Sequence, residues 1–360
     1  MSHAVRRDQE RAGGGDLRFN DHLVEPMVAT ARAMRPLLER NAQQHEDNGE
    51  LTQEVLDALD ATGILKMAAP ERVGGLAISS QGQVRVMAEI AKGCPSTAWV
   101  VSIINSVIWL GSAMSFEMQD YLFKDGVPKL CSPTNGTGTL VASGNDFQLN
   151  GRWSYGSGCR HSKWALVPAT LPSGAMAFVA LPLADAKIDY TWKVAGMRGT
   201  GSDTVVAEDV LIRPYQLCEI PGVGGTVSLH VSSNGLHPDT RKAQLLEATD
   251  YWIGLTLLRS KALGVMVGTV EGLMEQVLRS REKGVMFTTY EHRRDSHVWQ
   301  AGVGEGYAKL SVVRTILERV TAINDRGALE GRELTSDERI ESRSQVIVAI
   351  EILTALTEKL

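Results

Sequence analysis

The stretch from Gly151 to Trp164, GRWSYGSGCRHSKW, holds the densest set of side chains able to do chemistry. Two tryptophans, one tyrosine, three serines and three glycines fall in what reads as one strand-turn-strand unit. Alternation along a strand puts Trp153, Tyr155 and Ser157 on one face. A flat ring can stack on those aromatics and exchange a hydrogen bond with Ser157, while Gly156 and Gly158 allow close approach to the backbone. The same residues fit a glycine-bent hairpin that packs its aromatics into a core.

Other candidates carry less. Cys131-Ser132-Pro133-Thr134 ends an earlier strand, and its hydroxyls can bind a polar cofactor rim or simply close a turn. His161 has the chemistry of a base, but it sits beside Arg160 and Lys163 with no carboxylate neighbour and reads as surface or structural. His292, Arg293, Arg294 and His297 read as a solvated loop. Arg281 stands near the end of a long helix. There it can meet a phosphate through charge-assisted bonds or suit the helix C-terminus, and local sequence favours the second. Cys94, Cys131, Cys159 and Cys218 are far apart with no CxxC pattern, so no metal site or disulfide framework is expected and a reducing cytosol fits. GxxxxGK[ST] and HExxH are absent, and Gly199-Thr200-Gly201-Ser202 precedes a strand rather than a helix. No P-loop is present, and a self-contained nicotinamide site of Rossmann type is not expected.

Three textures must position these residues. Residues 20–125 read as helical, with Thr52 before a helix that stops at Gly63, and Pro95 and Ser96 opening an apolar helix. Residues 126–217 alternate short β-rich runs with turn residues and read as an antiparallel sheet domain. The glycine-rich stretch 218–243 reads as a loop. Residues 244–360 return to long helices: Leu255, Leu258, Ala262, Met266, Val270, Leu273 and Val277 follow steps of three and four, as do Val303, Tyr307, Leu310, Val313, Leu317 and Val320. Thr335 and Glu338 form a capping box. The fold class is thus α+β. Residues 1–19 read as a flexible tail without a secretory signal, and the last helix reaches Leu360 without a stop signal, so further C-terminal sequence is expected. With 43% hydrophobic residues, 22% charged and a net charge of -5, the 360-residue chain is neither disordered nor a dedicated nucleic-acid binder. No apolar run reaches the ~18 residues of a membrane span.

Pro70-Glu71-x-x-Gly74-Gly75, the GRWSYGSGCRHSKW pair of strands and Trp192-x-x-x-Gly196-Met197-Arg198-Gly199-Thr200-Gly201-Ser202 occur in an order that resembles the oxygenase components of two-component flavin-dependent aromatic monooxygenases. These include p-hydroxyphenylacetate hydroxylase and the secosteroid phenol hydroxylase of actinobacteria. The resemblance covers most of residues 20–360. It implies the acyl-CoA dehydrogenase fold: a helical N-terminal domain, a middle β-domain and a C-terminal helical bundle, assembled as a homotetramer. It also implies a cofactor site of Trp99, Ser132, Pro133, Thr134, Tyr155, Gly156, Ser157 and Arg281, with Ser157 catalytic near flavin N5 and Arg281 on a phosphate. A separate NAD(P)H flavin reductase would supply FADH2 or FMNH2 by diffusion. Reaction with O2 through a flavin C4a-hydroperoxide would then hydroxylate an aromatic substrate. Phenol-oxidising relatives place a His where this chain has Ser106, Val107 and Ile108. Val107, Ile108 and Trp109 are accordingly expected to face a substrate that is apolar or polycyclic, such as an indole.

Two other functions compete. An acyl-CoA dehydrogenase or oxidase on the same fold would need a carboxylate base near a thioester. A non-catalytic helical oligomer would bind no flavin.

Overall fold

The computed structural model describes residues 19–220, 251–330 and 334–359. The expected N-terminal tail and most of the expected loop after residue 218 lie outside the described residues, as do the side chains of Leu255 and Leu258.

Six helices come first: α1 (Val24–Ala33), α2 (Arg35–Asn48), α3 (Gln53–Thr62), α4 (Ser80–Gly93), α5 (Pro95–Ser112) and α6 (Phe116–Phe123). Helix α5 carries almost no charge and is therefore the buried centre of this layer. Its N-terminus is set by Pro95 at the first helical position and by Cys94 Sγ, which accepts from Thr97 N at 3.5 Å. Helix α3 ends at Gly63 in the left-handed conformation, as expected. Thr52 precedes it without capping it, because its hydroxyl donates to Asn41 Oδ1 at 2.9 Å instead.

The middle of the chain forms an eight-stranded sheet from β1 (Leu130–Cys131), β2 (Asn135–Ser143), β3 (Asp146–Gly156), β4 (Trp164–Thr170), β5 (Met176–Pro182), β6 (Lys187–Asp189), β7 (Asp203–Ile212) and β8 (Leu217–Ile220). The order is β6-β7-β3-β2-β4-β5-β8, with β1 added beside β4. Most pairings are antiparallel as expected, but β4 pairs parallel with both β1 and β2. The sheet is therefore mixed, a consequence of long-range pairing that no turn residue announces. Strand β8 also occupies the first residues of the expected loop, where Cys218 and Glu219 pair with Phe178 and Ala177.

The sheet core is built around Trp153, which is fully buried. Gly138 and Gly151 face each other across the β2–β3 ladder. A Cβ on either would come within 2.5 Å of the Trp153 indole. The two glycines are the floor of the slot that the indole fills, and its Nε1 donates to Pro168 O at 2.9 Å.

Three long helices follow: α7 (Tyr251–Arg279), α8 (His297–Glu330) and α9 (Ser336–Thr357), the last opened by the Thr335–Glu338 capping box. The buried stripe of α7 is Leu263, Val267, Val270 and Met274. Ala262, Met266, Leu273 and Val277 lie at its edge, half-buried. Gly264, Gly268 and Gly272 account for the difference. They lay α7 so tightly on α4 that a methyl group at 268 would overlap the backbone of Ala88. On α8, Leu310, Val313, Leu317 and Val320 are buried as their spacing predicts, whereas Tyr307 faces solvent. Asp325 of α8 ties the bundle to the N-terminus of α4, accepting from Ser80 N at 2.8 Å, Ser80 Oγ at 2.7 Å and Gln81 N at 3.1 Å. No helix among the described residues is long and apolar enough to cross a membrane.

Candidate functional site

The seam between α5 and the sheet gathers most of the expected site. Strand β3 is regular up to Trp153 and then bulges. Trp153 faces Val205 and Gly156 faces Asp203, so β3 has one residue more than β7 between those pairs. Tyr155 takes that position with φ of 63°, a left-handed conformation costly for an aromatic residue. The bulge corrects the expected alternation: Trp153 points into the core, while the Tyr155 ring is 59% exposed. Tyr155 meets Trp192 edge to face, with centroids 5.8 Å apart and planes at 86°.

Beyond the bulge, the chain places the buried Ser157 against α5. Trp99 Nε1 donates to Ser157 Oγ at 3.1 Å. Ser157 Oγ lies 2.7 Å from Ser202 Oγ, which lies 2.8 Å from Thr200 Oγ1. Thr200 Oγ1 donates to Met197 O at 2.8 Å, and Trp192 Nε1 donates to the same carbonyl at 3.0 Å. One line of hydrogen bonds thus runs from Trp99 to the turn carrying Trp192. Asn135 pairs with Ser154, so the Ser132–Thr134 loop runs beside the bulge. In that loop Pro133 is buried, Thr134 is exposed, and Ser132 Oγ donates to Leu166 O at 2.7 Å.

Two carboxylates hold this arrangement from behind. Glu46 of α2 accepts from Ser96 Oγ at 2.7 Å, Arg198 N at 2.9 Å and Gly199 N at 3.1 Å. It thereby clamps the Met197–Ser202 turn to the first turn of α5. Burial works to raise the Glu46 pKa, but the bonds from Ser96, Gly199 and Arg198 outweigh it and hold it below the ordinary carboxylate value. Asp203, fully buried, accepts from Arg160 Nε at 2.7 Å and from Trp192 N at 3.0 Å. Arg160 in turn covers the Tyr190 ring at 4.3 Å.

His161 is structural. Its Nε2 accepts from Leu51 N at 3.1 Å, which places the proton on Nδ1. Burial, followed by Lys129 and Arg160, pushes its pKa down to about 4, so the ring is neutral at ordinary pH. All four cysteines are free and buried.

The structure does not bring every expected residue here. On a helix of 3.6 residues per turn, Ile103, Ser106 and Leu110 share the Trp99 face of α5. Ile108 lies on the opposite face and is fully buried in the helical core. Trp109 packs with Ala68, Ala113, Ile323 and Leu334, joining the N-terminal helices to the bundle. Val107 is buried at the edge of the Trp99 face. The substrate-facing expectation for Ile108 and Trp109 is corrected to core packing: the notional pocket stretch is helical, so consecutive residues point different ways. Arg281 lies in the turn after α7, exposed, with its Nε 3.3 Å from Glu282. Its backbone carbonyl accepts from Arg294 N at 3.1 Å, and the structure does not join it to the Ser157 cluster.

Ser202, Thr200 and Glu46 were not singled out by sequence reasoning. The first two lie in the glycine-rich motif that carried the resemblance. Nothing near Glu46 distinguishes it from a solvated acid on a polar helix.

The description acyl-CoA dehydrogenase, N-terminal domain, matches residues 27–118. Streptomyces XiaF, solved in complex with FADH2 and glycerol, superposes with a TM-score of 0.83 at 21% identity, over 94% of this chain and 84% of that one. The chain has the acyl-CoA dehydrogenase fold. Among its sequence relatives are oxygenase subunits of flavin-dependent enzymes. It is 29% identical to the oxygenase subunit HsaA of the flavin-dependent monooxygenase of Rhodococcus jostii (strain RHA1), over 59% of this chain and 60% of that subunit. It is 24% identical to the oxygenase component of the FADH2-dependent resorcinol hydroxylase of Rhizobium sp. (strain MTP-10005), over 88% of this chain and 78% of the relative. The match to the Rhodococcus subunit thus spans only about three fifths of that protein's length. Among acyl-CoA dehydrogenase-fold chains, this one is related to the flavin-dependent oxygenases.

Proposed function

We propose that this chain is the oxygenase component of a two-component flavin-dependent monooxygenase, taking FADH2 or FMNH2 from a separate reductase and using O2 to hydroxylate an aromatic substrate. The observation that carries the reading is the buried Ser157 hydroxyl, held between Trp99 Nε1 and Ser202 at the end of a bulged strand. Strain at Tyr155 and a hydroxyl fixed by two partners are expected of a site shaped for a flat polar ring, not of a packed hairpin. Ser157, Trp99, Tyr155, Gly156 and the Ser132–Thr134 loop fit a flavin ring system, and Arg281 would meet its phosphate. Bound reduced flavin supplies the activation of O2. The protein's share is to orient the ring, hold hydrogen bonds to its edge and exclude water.

The Trp99 face of α5 presents Ile103 and Leu110 with the single hydroxyl of Ser106, whose hydrogen goes to Ser102 O at 2.7 Å. An apolar aromatic such as an indole suits that face better than a phenol acid. The dehydrogenase alternative finds less support. The two acids that brace this seam, Glu46 and Asp203, spend their oxygens on backbone amides, the Ser96 hydroxyl and Arg160. A cytosolic homotetramer is in keeping with the four free thiols and with the exposed Met286, Phe287 and Val298.

The test couples the chain to a flavin reductase, NADH and indole under isotopically heavy O2. Labelled hydroxyindole that depends on the chain supports the reading. Its absence across indoles and polycyclic phenols, together with bleaching of bound oxidised FAD by an acyl-CoA, would move the assignment to a dehydrogenase.

A further inference from the structure

Three segments meet at Ser157, and all three are held by the bend between α2 and α3, whose Asp47 and Asn48 face solvent. The first segment is that of Ser157 itself, which runs on into Arg160 and His161. Arg160 Nη1 donates to Asn48 O at 3.2 Å, and His161 Nε2 accepts from Leu51 N at 3.1 Å. The second is the Met197–Ser202 turn, which lies flat on the end of α2. A Cβ on Gly199 would stand 2.7 Å from His45 Cβ, and one on Gly201 2.8 Å from Gly49 O, so the two glycines let the turn seat this closely. Gly49 in turn closes α2 with φ of 69°. The third is the first turn of α5, which leads to Trp99. Glu46 holds it through Ser96, and His45 meets it at Cys94 and Thr97.

His45 has one way to do this. Asn41 Nδ2 donates to Leu37 O at 2.9 Å and to Glu54 at 3.0 Å, so its Oδ1 is left to take the Thr52 hydroxyl hydrogen. Thr52 can then only accept from His45 Nε2, at 3.2 Å. His45 Nδ1 is therefore the acceptor, 3.5 Å from both Cys94 Sγ and Thr97 Oγ1.

We propose that the α2–α3 bend is the positioning element of the site, and that His161 is the positioning residue that keeps the bend seated. The flavin half of its test rests on the reading above. His161 acts through Leu51 and the bend. A working constellation tolerates displacements of about 0.5 Å. Because the bend bears on all three segments, lifting it by that much would part Ser157 from Trp99 and Ser202 together. Cofactor affinity is thus set in part from the solvent-facing side of α2.

The test is hydrogen exchange read by mass spectrometry on the 360-residue chain, with affinity for dithionite-reduced FAD and FMN measured without oxygen. His161→Leu removes the acceptor of Leu51 N, and His161→Gln retains one. Leucine is expected to speed exchange over 155–162 and 197–203 about tenfold relative to β5, and to weaken reduced flavin about tenfold, the loss from one orphaned buried donor. Glutamine should restore both. Leu310→Ala, in the bundle core, lowers Tm and should change neither. If His161→Leu fails to fold, Glu46→Gln decides, since it loosens the same bend from its other side and should reproduce both effects. Exchange that rises evenly over the chain, or at 48–52 alone, overturns the proposal. So does a reduced-flavin affinity that stays unchanged while the two segments loosen. If the wild type binds neither flavin but the exchange pattern holds, the flavin reading falls and the bracing of Ser157 by the bend stands.

Discussion

Trp99 and Ser157 join helix to sheet through one hydrogen bond, indole Nε1 to Oγ at 3.1 Å, across the seam where the candidate site opens. Trp99→Phe keeps most of the ring contact and deletes only the donor. It is expected to cost about 1 kcal/mol in urea unfolding. In the reductase-coupled assay it should also raise the share of NADH lost as hydrogen peroxide, because Ser157 then loses one of the two partners that hold it in place.

Glu46 is the hinge pin behind that seam. Glu46→Gln leaves one of its bonds to Ser96, Arg198 and Gly199 facing an amide hydrogen, and is expected to cost about 2 kcal/mol. Because its pKa is depressed by folding, the carboxylate contributes stability above its unfolded value, about 4.3, and loses it as pH falls through the folded one. The gap between wild type and Glu46→Gln should therefore close in unfolding curves taken below about pH 4.

His161 works in the opposite part of the acid range. Its folded pKa, about 4, lies below the unfolded value near 6.5, so the unfolded chain binds the extra proton in between. Stability is full above about pH 6.5 and falls by up to about 3 kcal/mol on the way to pH 4. The buried His45, whose pKa burial also lowers against the pull of Glu46, adds in the same direction. His161→Gln can still accept from Leu51 N, and should flatten thermal melts across that window. An unchanged slope would show that other groups govern it.

Lys261 is fully buried, and its Nζ has no hydrogen-bond partner among the described residues. Burial pushes its pKa far down against the attraction of Asp325, whose own carboxyl burial raises to about 6. Lys261→Met retains the volume and removes the desolvated amine. It is expected to stabilise the fold by about 1–3 kcal/mol, read as a higher Tm. A lower Tm would mean that the amine is paired in solution.

Arg281 is exposed and, among the described side chains, bonds only to its neighbour Glu282. Arg281→Ala should leave unfolding within about 0.5 kcal/mol of wild type. Reduced-flavin affinity should nonetheless fall about tenfold, the loss expected for one charge-assisted phosphate contact.

Much of this architecture is legible in residue order. Pro95 and the uncharged run after it give α5, Gly63 ends α3, and Thr335 with Glu338 opens α9. Ser157 and Tyr155 stand out because hydroxyls, aromatics and glycines crowd one hairpin. What is not legible depends on partners distant in sequence. No residue type announces that Tyr155 takes a positive φ, so the face it presents is misread from alternation alone. The Ser157 hydroxyl finds its partner in Ser202, 45 residues on. The packed face of α7 follows three glycines rather than its apolar residues, which turns the stripe by one position. Glu46 is marked only by the backbone amides that find it.

The indole slot of the sheet has a consequence for how this sequence can drift. Gly138, Gly151 and Trp153 share one volume, and a single methyl group on either glycine collides with the ring. No stepwise route replaces a glycine first without leaving an intermediate that cannot close its core. The three positions should therefore change together across descendants of this chain, a large ring being exchanged for a small side chain in the same lineages that lose a glycine. That joint inheritance would be visible in an alignment as correlated substitution.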